Sequence, residues 1–136
     1  MLSFLRLSFL PASTDLGLLV LRLWLGLTML FNHGLAKLNG FETMAAKFPA
    51  LFGLSGKVNL GLAIFAEVGC SALLILGLFT RFAALSLVIT MAVAFFMVHK
   101  GAIAPGPGSG ELAFVYLAGF ATLLLAGGGR YSVDKS

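Results

Sequence analysis

Residues 58–98 read VNLGLAIFAEVGCSALLILGLFTRFAALSLVITMAVAFFMV, and within them only Glu67 and Arg81 are charged. A span needs about 20 apolar residues, down to about 17, at 1.5 Å per residue. The stretch is therefore long enough to cross a bilayer twice. In lipid every backbone N–H and C=O must be paired within its own segment, so the two halves are helices and not strands. The pair Thr80-Arg81 divides residues 58–79 from residues 82–98. A two-residue turn makes the helices antiparallel neighbours.

Working outward, residues 16–36 and 111–126 are two further apolar runs. The expected fold is all-α: an integral membrane four-helix bundle occupying residues 1–136 as one unit. The composition agrees. Of 136 residues 60% are hydrophobic and 10% charged, and the mean hydropathy is +1.05. A soluble domain carries about 25% charged residues. A net charge of +4 raises the question of nucleic acid. The basic residues stand singly, without a run or stripe, and they suit headgroups at helix ends instead.

Outside the spans, residues 1–14 are expected to be a retained lead-in on the membrane surface, with Ser13-Thr14-Asp15 as a helix N-cap. Between the first two spans, Phe41, Met44, Ala45, Phe48 and Phe52 recur at helical spacing. They predict a short interfacial amphipathic helix ending near Pro49. Residues 100–110 are too rich in Gly and Pro for a helix. Four spans place both termini on one side. Basic residues divide evenly between the two sides, and the short terminal tails and turn favour the cytoplasm for the termini.

Ionisable groups inside the spans are costly and need a partner or a task. Depth arithmetic places Arg22 about 9 Å into the first span and Glu67 about 17 Å above the near end of the second. An Arg22–Glu67 ion pair is the preferred pairing. His33, Lys37, His99 and Glu111 fall at one level near the opposite face. Arg22, Gly26, His33 and Lys37 share one face of the first helix, and Glu111, Val115, Ala118 and Thr122 form a stripe of small or polar residues on the fourth. The expectation is a polar crevice between helices, opening on the side away from the termini, with Arg22, His33, Lys37, Glu67, His99 and Glu111 as its ligand-binding residues. Each also has a plain reading: Lys37 and His99 snorkelling to headgroups, Glu111 favouring a helix N-terminus, Arg22 and Glu67 as a structural pair. Gly26, Gly61, Gly69, Gly77 and Gly119 are expected at helix contacts.

No metal motif is present, and two histidines on separate helices are too few ligands for one. The lone Cys70 excludes a thiol pair, so no redox chemistry rests on the chain's own thiols.

Together these residues resemble the DoxX family of four-span membrane proteins. Arg22, Gly26, Phe31, Gly34 and Lys37 are similar to its first-helix signature, and Glu67 with Gly77-Leu-Phe-Thr80-Arg81 to its second-helix acid and turn. His99, Glu111 and the stretch Gly128-Gly-Arg-Tyr131-Ser132-Val-Asp134 are similar to its closing segments. The resemblance implies a membrane subunit of an oxidoreductase system in the cytoplasmic (inner) membrane, with an oxidoreductase partner subunit or a homo-oligomer as partners beside the lipid bilayer. A quinone or small anion would occupy the crevice, and no covalent cofactor is expected. The alternative is a non-enzymatic anchor, scaffold or small carrier that recruits a partner protein.

Overall fold

The computed structural model describes residues 1–135. Its helices are α1 (Leu2–Leu5), α2 (Thr14–Asn39), α3 (Phe41–Ala45), α4 (Gly56–Leu76), α5 (Thr80–Val98) and α6 (Glu111–Ala126). The chain is a multi-pass membrane protein. α2, α4 and α5 are long and apolar enough to cross a membrane, and α6 is the shorter fourth apolar helix. We call the side of both termini proximal.

α2 starts where expected, with the Ser13 hydroxyl accepting from the Leu16 N–H at 3.2 Å. The second span ends earlier than its hydropathy suggested. Gly77 takes φ +72° and stops α4, because a residue without Cβ enters this region freely. The connection is Gly77-Leu78-Phe79, and Thr80 and Arg81 already belong to α5. The amphipathic helix after the first span is also shorter than expected. Only Phe41–Ala45 is helical, and Phe48, Pro49, Leu51 and Phe52 fold back against the bundle in a loop.

Neighbouring helices pack around a core of Met29, Leu74, Leu87, Tyr116, Phe120 and Leu123, with α5 and α6 in the most extensive contact. α6 turns Tyr116, Phe120 and Leu123 inward, whereas Val115, Ala118 and Thr122 are exposed. The small-residue stripe thus faces out, because the large apolar residues of α6 fill the space between helices. Gly26 and Gly34 set the seam between α2 and α4. A Cβ on Gly26 would lie 2.9 Å from Ile75 Cγ1, and one on Gly34 would lie 2.7 Å from the Glu67 carbonyl oxygen. Gly77 and Gly119 are likewise tight, against Ser132 and Leu25. Gly61 and Gly69 meet no neighbouring helix, which corrects their expected role.

The segment 127–135 ties the proximal helix ends together. The Asp134 carboxylate accepts from the Phe79 N–H at 2.9 Å and the Thr80 N–H at 2.8 Å, and Asp15 Oδ1 accepts from the Arg130 N–H at 3.1 Å. The bond from the Thr80 N–H, supported by that from Phe79, holds the Asp134 carboxyl below its usual range. A depressed pKa contributes stability above the unfolded value, about 3.9, and that contribution is lost as pH falls through the folded one. Asp134→Ala should therefore melt below the parent at pH 7. The two curves should converge in acid, and an equal gap at every pH would refute this role.

Candidate functional site

Arg22 and Glu67 do not meet. The seam fixes the register: Gly26 lies against Ile75 and Gly34 against Glu67. Glu67 is therefore level with position 34, twelve residues beyond Arg22, or about 18 Å along the helix at 1.5 Å per residue. An arginine side chain cannot cover that distance. Arg22, 0% exposed, turns to the proximal side, where Nε donates to the Gly128 carbonyl at 3.0 Å and Nη2 to that of Tyr131 at 2.8 Å. Nη1 donates to the carbonyls of Leu74 and Ile75 at 2.8 and 3.2 Å. The last carbonyls of α4 carry its negative dipole end, so a guanidinium is a suitable partner for them. Arg22 is a structural clamp at the proximal end.

Glu67 pairs with Lys37 instead, Nζ to Oε1 at 2.7 Å. The lysine turns inward, as the crevice reading has it, and not out to headgroups, because a buried carboxylate requires a counter-charge. The pair stands in the wall of a cavity of about 530 Å³ in the distal half of the bundle. α2 contributes Met29, His33 and Lys37; α4 Asn59, Leu62, Ala63 and Glu67; α6 Leu112, Ala113 and Tyr116. α5 supplies Ile89, Thr90 and Val93, His99 follows its last turn, and the loop with Phe48 and Phe52 lines the distal end. The His33 ring meets the Tyr116 ring edge-on, with centroids 5.6 Å apart. His99 Nδ1 lies 3.1 Å from the Gly108 carbonyl, which can only accept, so Nδ1 is the donor there and Nε2 is left for another partner.

Four of the six expected site residues therefore line one cavity: His33, Lys37, Glu67 and His99. Glu111 does not, and stands exposed in the first turn of α6, where a negative charge is favoured by the helix dipole. Four polar cavity residues were missed. Asn59 donates from Nδ2 to the carbonyls of Pro49 and Leu51 at 3.3 and 3.1 Å and so holds the loop that follows α3. Thr90, Ser109 and Tyr116 are the others. A single Asn and a single Tyr inside otherwise apolar runs were the available signals.

The helices change pitch where the site is built. Leu30–Gly34, Phe65–Cys70 and Ala94–Val98 are π-helical, and they hold His33, hold Glu67 and precede His99, respectively. Such wide turns are uncommon and frequently accompany functional positions. They rotate the side chains beyond them relative to an ideal helix, which simple 100° periodicity does not anticipate.

The DoxX family model matches residues 17–100, from the first turn of α2 to just past α5. The chain belongs to the DoxX family. This DoxX protein is 34% identical over 126 residues to an uncharacterized protein of Haemophilus influenzae, covering 89% of the chain and 83% of the relative. A second uncharacterized protein of the same organism is 37% identical over 111 residues, covering 79% and 81%. No solved structure matches. All four cavity-lining site residues lie within the matched part. The whole of segment 127–135, which clamps Arg22, lies beyond the family match.

Proposed function

We propose that this DoxX protein is a membrane subunit of an oxidoreductase system and that its cavity binds a quinone. The observation that carries the reading is the cavity's chemistry: largely apolar and aromatic walls, interrupted by Lys37–Glu67, His33 and Tyr116. Its volume falls within the range of about 300–1,000 Å³ usual for small-molecule sites. A bound quinone would supply two-electron redox chemistry that no side chain here provides. Its ring suits the apolar walls, and Lys37, His33 and the Tyr116 hydroxyl are donors for its carbonyl oxygens. Lys37 uses one of its three N–H groups on Glu67, and Tyr116 makes no hydrogen bond among the described residues. Glu67 holds the Lys37 ammonium in place through their 2.7 Å contact, and His33 is a group that can hold a proton at the wall.

A small oxyanion fits less well than a neutral ring. Glu67 neutralises Lys37 within the cavity, and the backbone carbonyls engage Arg22 elsewhere. Calorimetric titration of the purified protein with a short-tailed benzoquinone should give saturable binding. His33→Ala should weaken that binding by roughly 1–3 kcal/mol, the usual loss for an unpaired buried polar group, with the melting temperature kept. Mass spectrometry of lipid extracted from the protein should find quinone. If the parent shows neither saturable binding nor co-purified quinone, the anchor or scaffold reading takes precedence.

A further inference from the structure

In the proximal half, α4 packs closely on α5 through its segments Phe65–Cys70 and Ser71–Leu76. The distal segment Gly56–Ile64 turns instead to α2 and α3 and barely touches α5. The two helices splay apart at the level of the cavity. Leu62 on α4 and Ile89 on α5 both line the cavity while each remains 55% exposed. Both are aliphatic, as is Val93 beside them, so a bilayer chain would meet no polar barrier there. The distal end carries the loop that Asn59 holds, with Phe48 and Phe52 lining the cavity.

Building on the quinone reading, we propose that the gap between α4 and α5 is a lateral mouth through which a bilayer-dissolved, tailed quinone enters. Its ring passes inward toward Lys37–Glu67, and its apolar tail stays in the gap between Leu62 and Ile89. This arrangement buries the polar ring among donors while leaving the chain in the medium that already dissolves it. The aliphatic mouth suits a ligand delivered from lipid.

The test uses the full chain in phosphatidylcholine vesicles and a decyl-benzoquinone carrying a diazirine at the end of its chain. After illumination, mass spectrometry should find adducts at Leu62, Ile89 and Val93 that excess unlabelled decyl-benzoquinone removes. Labelling of lipid-facing Trp24, 73% exposed, should persist as background. Leu62→Trp combined with Ile89→Trp should narrow the mouth and abolish the competed adducts. If quinone binds by calorimetry but no gap adduct is competed, the lateral mouth is wrong and the quinone site stands. A diazirine fatty acid serves as the second probe. If it labels buried Met29 and Tyr116 while no quinone competes, the mouth stands and the quinone occupant falls. If neither probe labels gap or cavity, both ideas fall.

Discussion

Arg22→Leu should leave the protein unable to hold its proximal end together. Four carbonyls, those of Leu74, Ile75, Gly128 and Tyr131, lose a charged donor at once. They come from the end of α4 and from the closing segment, so no single neighbour can rotate to replace it. An unmade buried hydrogen bond costs roughly 1–3 kcal/mol, and after partial relaxation the total should be on the order of 3–5 kcal/mol. Arg22→Lys should recover little, since an ammonium lacks the planar fork that reaches several carbonyls. The measurement is thermal unfolding in mild detergent, followed by the fraction remaining monodisperse. If Arg22→Leu melted like the parent, the clamp would be decorative. A melting temperature fully restored by lysine would show that charge, and not geometry, is what matters.

Gly34→Ala should be nearly as damaging, and for a different reason. The added methyl would meet the backbone oxygen and carbon of Glu67 at 2.7 and 2.8 Å, so α2 and α4 must separate. A flexible side chain could move aside, but helix backbone cannot. Overpacking of this kind costs typically about 1–3 kcal/mol. It should also lengthen the Lys37–Glu67 contact and weaken quinone binding. Gly61→Ala is the control: nothing lies within 4 Å of its added methyl, and alanine is the better helix former by about 1 kcal/mol. The two substitutions should shift the melting temperature in opposite directions. Equal shifts would mean that the seam does not run through Gly34.

Both results bear on how far a helix wheel can be trusted. The inner face of α2 was legible: Arg22 and Gly26 are buried, and His33 and Lys37 face the cavity. Depth along one helix follows from 1.5 Å per residue, so the shared level of His33, Lys37 and His99 was legible too. Pairing across helices was not. It depends on which residue of α4 stands beside a given residue of α2, and hydropathy carries no register. The close approaches at Gly26 and Gly34 set that register, and they moved Glu67 from Arg22 to Lys37.

The sequence by itself determined that the chain crosses a bilayer as four helices. Lipid leaves the polar backbone of an isolated apolar segment no alternative, and each helix satisfies its hydrogen bonds locally. It also determined that the buried charges had to find partners. Only the tertiary structure decided which partners, because the answers join residues far apart in the chain: Arg22 with Gly128 and Tyr131, and Lys37 with Glu67. The cavity is likewise a tertiary product. It exists because α4 and α5 meet proximally and splay distally, a property of helix packing that no stretch of either helix encodes alone.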